Sequence, residues 1–301
     1  MLSVWIKTAG IILAIAIGYV MKRTGSLPES SAKVLSKLTI NVMLPCVFIC
    51  NLNGLTFSRD LLAAVLWGFG VDLILVSAAV ISAYKKPKET VFVMMYCVPG
   101  FNISSFALPV AQIFTSDYEV AAIIMFNIPI TFFFYVITPI LIRILTAGEH
   151  KISFRRAGKD FLKNIPAVVS IGMLLLSILH LSFPDEVVTA LRPLANANAA
   201  VALLAMGILF EFPRRLPRDN IRAMMIRMAV IISAAALAGF DLISFGSVRK
   251  VMIIAMFAPL PSGGPAVALT QGYEGSKVAF GASTSLIVSI ISMSIVCSIL
   301  F

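Results

Sequence analysis

Apolar runs of similar length follow one another along the whole chain, separated by short stretches of charge, proline and glycine. A helix that crosses a bilayer needs about 20 mostly apolar residues. Runs of that length fall at about Leu2–Met21, Val34–Leu52, Leu61–Tyr84, Thr90–Thr115 and Val120–Leu145. Five more lie at about Phe161–Leu181, Val187–Phe210, Ile221–Leu242, Val248–Gly272 and Lys277–Phe301. The pattern predicts an all-α membrane protein of ten transmembrane helices, a single transmembrane domain over residues 1–301. The longest interruption, about Thr146–Asp160, is a basic loop at mid-chain. It separates two five-span halves, about 1–147 and 160–301. An odd number of spans in each half turns the halves opposite ways, the inverted-repeat arrangement common in secondary transporters.

Composition narrows the class. The chain has 301 residues, 59% hydrophobic and 13% charged, with a mean hydropathy of +0.99. Soluble domains carry about 25% charged residues. An ordinary soluble enzyme, a disordered chain and a small disulfide scaffold are therefore excluded. The net charge of +10 does not imply a nucleic-acid partner, because the basic residues sit in loops between apolar runs. Nineteen lysines and arginines follow odd-numbered spans, and four (Arg59, Arg192, Arg249 and Lys250) follow even ones. The positive-inside rule then puts the odd loops in the cytoplasm and both termini outside it. The expected location is the plasma membrane, the inner membrane if the source is bacterial. The Arg214–Arg227 cluster is read as fixing this topology and contacting anionic membrane lipid, with Glu211 paired to Arg214 and Arg215 at the membrane edge. Lys22 and Arg23 follow the apolar run Ile11–Met21 instead of preceding it. That order predicts a retained first span and not a cleavable signal.

Little enzymatic chemistry is legible. Cys46, Cys50, Cys97 and Cys297 all lie in apolar runs, as reduced packing residues do. His150 and His180 belong to no ligand-like cluster, so neither a metal nor a cofactor is expected. The chain contains no Gly-x-Ser-x-Gly elbow and no P-loop, which argues against a hydrolase and an ATP-driven pump. A channel or a non-transporting sensor stands as the alternative to a carrier.

Two spans carry helix-breaking residues near their centres. Span 4 has Pro99 and Gly100, then Asn102, Ser104 and Ser105, with Pro109 beyond. Span 9 has Pro259, Pro261, Ser262, Gly263, Gly264 and Pro265. Interior proline removes a hydrogen bond and clashes with the preceding turn, so both spans should break. Each is the fourth of its half. Backbone groups freed in lipid cost several kcal/mol each, so the breaks should face protein or a water-filled cavity. The half-helices beyond them, beginning near Ser105 and Pro265, offer amino ends suited to an anion. The expected substrate site is Asn102, Ser104, Ser105, Ser262, Gly263 and Gly264, with Asn102 serving either as a cap or as a ligand group. Asp72 lies at the centre of span 3. A carboxylate inside the membrane is a functional candidate by default. It is either a proton carrier, or bonded to a polar group on a neighbouring span or exposed to a cavity. Asn127 before Pro129, and Asn196 and Asn198 in span 7, are candidates for interhelical hydrogen bonds.

Taken together, these residues resemble the auxin efflux carrier family, which includes bacterial permeases for small carboxylates. Asn102 and Pro109 match its N-x-G-F-x-G-x-P motif, while Ser104, Ser105 and Ala107 stand where the family has Gly, Phe and Gly. Asn41-Val42-Met43-Leu44-Pro45, the break at Pro259–Pro265, and Gln271-Gly272-Tyr273-Glu274 resemble its second and ninth spans. The resemblance implies the fold shared with bile acid–sodium symporters and sodium–proton antiporters. Spans 1, 2, 6 and 7 would form a scaffold that also mediates a homodimer. Spans 3–5 and 8–10 would form a unit that carries substrate in an elevator-like, alternating-access cycle. The implied substrate is a small organic anion such as a mono- or dicarboxylate, coupled to a proton or a sodium ion.

Overall fold

The computed structural model describes residues 2–147, 158, 161–210, 217–239, 246–273 and 276–300. Most of the central basic loop, including His150 and Lys151, lies outside them, as do Glu211, Arg214, Arg215 and Glu274. The described residues are helical and contain no strand. Helices α1 (Leu2–Arg23), α2 (Glu29–Leu38), α3 (Leu44–Leu52) and α4 (Arg59–Ala83) come first. Next are α5 (Lys88–Cys97), α6 (Leu108–Phe114), α7 (Asp117–Phe132), α8 (Thr138–Ala147) and α9 (Ile165–Ile178). Then follow α10 (Asp185–Leu209), α11 (Arg218–Gly239), α12 (Arg249–Met256), α13 (Gly264–Thr270) and α14 (Ser276–Leu300). Six helical stretches among the described residues are long and apolar enough to cross a membrane: 30–52, 59–83, 117–146, 185–209, 218–239 and 276–300. Large apolar side chains such as Leu66, Ile81, Leu175, Met225 and Ile299 are exposed. An aqueous surface would not tolerate so many, and a lipid-facing one requires them. The chain is a multi-pass, all-helical membrane protein.

Three prolines account for three irregular turns. Thr39–Met43, Ile103–Ala107 and Phe133–Ile137 are wide, π-type turns. Each ends two residues before a proline: Pro45, Pro109 or Pro139. A proline ring clashes with the carbonyl four residues earlier. Those carbonyls belong to Asn41, Ser105 and Tyr135, the central residue of each turn. Widening relieves the clash, and the bonds then reach five residues back: Leu44 N–H to Thr39 O, Leu108 N–H to Ile103 O, Thr138 N–H to Phe133 O. The helices therefore continue through these prolines.

Two packing groups result. In one, α10 packs against α1, α2 and α3, and α3 against α9. Gly18 and Gly207 bring α1 and α10 into backbone contact. A Cβ on Gly18 would sit 2.2 Å from Leu204 O, and one on Gly207 2.0 Å from Ile15 O. Small residues commonly allow such approaches in membranes. In the other group α4 packs on α7 and α5, and α11 on α5, α12 and α14. α9 starts later than the apolar run predicted, at Ile165 rather than Phe161. Asn164 caps it by accepting from Ala167 N–H at 3.0 Å, and Pro166 occupies its first turn.

Candidate functional site

The chain breaks where prolines and glycines cluster. Helix α5 stops at Cys97 and helical structure resumes at Ile103; α12 stops at Met256 and α13 begins at Gly264. The two breaks touch in the interior. Asn102 N–H donates to Pro259 O at 2.7 Å. Gly100 has φ +80°, a conformation that favours glycine, and a Cβ there would lie 3.1 Å from Pro261 Cγ.

Buried backbone groups need partners, and here side chains from three other helices supply several of them. Arg227 of α11 is 2% exposed. Its Nη1 donates to Val98 O at 2.9 Å and to Gly100 O at 2.7 Å, and its Nη2 donates to Ala258 O at 2.9 Å. The guanidinium also lies 4.6 Å from the Phe101 ring centroid, a cation–π distance. Asp72 of α4, fully buried, accepts from Gly100 N–H at 2.9 Å through Oδ1; its Oδ2 is buried without a hydrogen-bond partner. Ser285 Oγ of α14 accepts from Leu260 N–H at 2.9 Å. One arginine thus joins the carboxyl-end carbonyls of both first half-helices, where the partial charge is negative.

Arg227 corrects the sequence reading, which grouped it with the cytoplasmic arginines. Arg222 is exposed, but Arg227 lies a turn further into the helix and is buried at the crossing. The signal was present: Ala223–Ile226 precede it and Met228–Ile232 follow it, an apolar setting unlike a loop.

Asn102 is 5% exposed, and its Oδ1 accepts from Ser105 N–H at 3.3 Å, so it fills the cap role. Its Nδ2 points at Met206 Sδ, 3.8 Å away. Ser104 Oγ accepts from Asn127 Nδ2 at 3.3 Å, and Asn198 Nδ2 donates to Gln112 Oε1 at 3.3 Å, both between helices. Asn196 is exposed. Ser105 and Ser262 come together on the wall of one cavity of about 230 Å³, open mouth included. Gly263 and Gly264 are beside it but not on its wall; a side chain at Gly264 would meet Val278 Cγ1 at 3.2 Å. Pro265, like Pro261, is half-buried. Sequence reasoning missed the cavity's other two hydroxyls, Ser36 and Thr39, which come from α2 and its π turn. Among the described residues, Ala202, Ala205, Met206 and Leu209 of α10 form the rest of the wall. Thr39 Oγ1 is buried and has no hydrogen-bond partner.

No family model matches the chain, and no curated protein sequence matches it.

Proposed function

We propose that the protein is a secondary transporter, a permease that moves a small organic anion across the membrane by alternating access. The observation that carries this reading is the crossing of two helix breaks in the interior, joined by Asn102 N–H to Pro259 O, beside a cavity lined by hydroxyls. Broken helices at membrane depth are tolerated only where they face protein or a cavity, and they mark substrate and ion sites in carriers. A continuous pore would need no such crossing. The substrate sits against Ser105 and Ser262, with Asn102 holding the Ser105 turn in place. Asp72, with one oxygen unpartnered, carries the coupling proton.

The finer architecture belongs to the same proposal: ten spans in two inverted repeats, both termini extracytoplasmic, and membership in the auxin efflux carrier family. So do an elevator-like slide of α4–α8 and α11–α14 against the rest, and a homodimer through α1, α2, α3, α9 and α10. Packing is denser within each of those two groups than between them, where α10 meets α6 and α7 meets α3 and α9, and that difference favours a slide along this boundary. Radiolabelled uptake into proteoliposomes tests the reading, screened over mono- and dicarboxylates at several pH gradients. A carrier gives saturable uptake that is accelerated by substrate on the far side. A channel gives no counterflow, and a sensor binds without flux.

A further inference from the structure

The second half-helices of spans 4 and 9 end on the same residue type. Gln112 lies in the last turn of α6, and Gln271 closes the carboxyl end of α13. A regularity in the helix boundaries makes the two positions equivalent. One and the same separation in sequence divides the first residues of α4 and α11 (Arg59 and Arg218), the last residues of α5 and α12 (Cys97 and Met256), and the first residues of α7 and α14 (Asp117 and Ser276). That separation also divides Gln112 from Gln271.

The two glutamines have different partners. Gln112 Oε1 accepts from Asn198 Nδ2 at 3.3 Å, a bond that crosses to α10 of the other packing group, and α6 packs against both α10 and α1. Gln271 Nε2 donates to Tyr96 Oη of α5 at 2.9 Å, within its own packing group, and α13 packs against α14 and α5. One half-helix is docked across the boundary, and its counterpart is drawn back from it. Moved back by the same separation, Asn198 becomes Thr39 of the second span. Thr39 Oγ1 is buried without a hydrogen-bond partner, and so is Gln271 Oε1. Buried polar groups left unpaired are costly. A hydroxyl donates and an amide oxygen accepts, so these two groups are complementary, and this conformation keeps them apart. In a carrier built of inverted repeats, exchanging the conformations of the two halves turns one end state into the other. The exchange would carry Gln271 to Thr39 and release Gln112 from Asn198.

We propose that Gln112 and Gln271 are alternating clasps. Gln112 holds α6 to Asn198 in the state described above, and Gln271 holds α13 to Thr39 in the state open to the opposite face. The proposal rests on reading the chain as an alternating-access carrier and deepens it by naming a contact that each state makes and the other breaks. Neither glutamine is a substrate ligand in this account; each biases an equilibrium between two packings.

The test is oxidative cross-linking of the full chain in proteoliposomes with copper phenanthroline. Two cysteine pairs are compared, Gln112→Cys with Asn198→Cys and Gln271→Cys with Thr39→Cys, and the loss of free thiols is read by mass spectrometry of the denatured monomer. The chain with only its native Cys46, Cys50, Cys97 and Cys297 is the control. Each pair should form a disulfide, and a chain carrying all four substitutions should form either one but never both. Oxidation of either pair should stop uptake of labelled pyruvate, malonate and succinate, whichever the chain transports, and dithiothreitol should restore it. An interhelical hydrogen bond in a membrane is a modest bias, so Gln112→Leu should speed the cross-link between positions 39 and 271 about threefold. Failure of either pair to cross-link, or single chains carrying both disulfides, overturns the exchange and leaves the carrier reading standing. An unchanged cross-linking rate in Gln112→Leu overturns the role of Gln112 as a clasp. Full uptake through cross-linked protein overturns alternating access itself, and no uptake of any of the three carboxylates before oxidation overturns the organic-anion reading.

Discussion

Asp72 and Arg227 meet on one residue: Gly100 N–H donates to the Asp72 carboxylate at 2.9 Å, and Gly100 C=O accepts from the Arg227 guanidinium at 2.7 Å. A buried carboxyl group on α4 and a buried guanidinium on α11 thereby hold the span 4 break from opposite sides. The same guanidinium reaches Ala258 O in the span 9 break. The crossing is therefore held by side chains from outside it, which fixes a geometry that the broken helices could not keep alone.

Arg227→Gln should lose much of this restraint. Removing one partner from a buried charged network costs about 3–5 kcal/mol. Lysine offers a point charge in place of a planar fork, so Arg227→Lys should recover part of that loss and no more. Thermal unfolding in detergent measures both. Asp72→Asn combined with Arg227→Gln should be non-additive, by about 0.5–3 kcal/mol.

Asp72→Asn separates fold from coupling. The amide oxygen can still accept from Gly100 N–H, so the protein should reach the membrane and exchange substrate. Uptake driven by a pH gradient should disappear. Undiminished pH-driven uptake would make Asp72 a purely structural acceptor.

Gly100→Ala places a side chain at φ +80° and 3.1 Å from Pro261 Cγ. Left-handed backbone costs a non-glycine residue about 1–2 kcal/mol, and the contact pushes the two breaks apart. A lowered melting temperature together with slowed uptake is expected.

Gly207→Ala and Gly18→Ala should each destabilise the α1–α10 pair, since each new Cβ would fall about 2 Å from a backbone oxygen of the facing helix. Gly10→Ala has nothing within 4 Å and should be neutral to slightly stabilising, in line with the better helix propensity of alanine. Melting temperatures of the three variants, compared side by side, check this.

Much of the helical layout was legible because lipid imposes a blunt rule: long apolar runs must be helical. The breaks at Pro99-Gly100 and Pro259–Pro265 were legible because proline and glycine act through the backbone and need no tertiary context. Arg227 was misread because its charge was assigned by its neighbours Arg218 and Arg222, whereas its depth in α11 decides its role. Ser36 and Thr39 were missed because small hydroxyls are ordinary in helices. Only the packing of α2 and its π turn onto α10 and the break beyond Gly100 turns them toward Ser105. Pro109 was counted among the helix-breaking residues of span 4, yet its helix continues through it by an i to i−5 turn, as the helices at Pro45 and Pro139 also do.

The most direct test of the central claim is counterflow in proteoliposomes, comparing the wild type with Ser105→Leu. Ser105 lines the cavity at the start of the second half-helix, and leucine would fill the space while leaving Asn102, Arg227 and Asp72 in place. Wild-type vesicles preloaded with an unlabelled carboxylate that the uptake screen identifies as substrate should accumulate the labelled compound transiently above equilibrium. Ser105→Leu, at equal incorporation and melting temperature, should show none of this overshoot. Equal overshoot in the two would put the substrate path elsewhere and contradict the account.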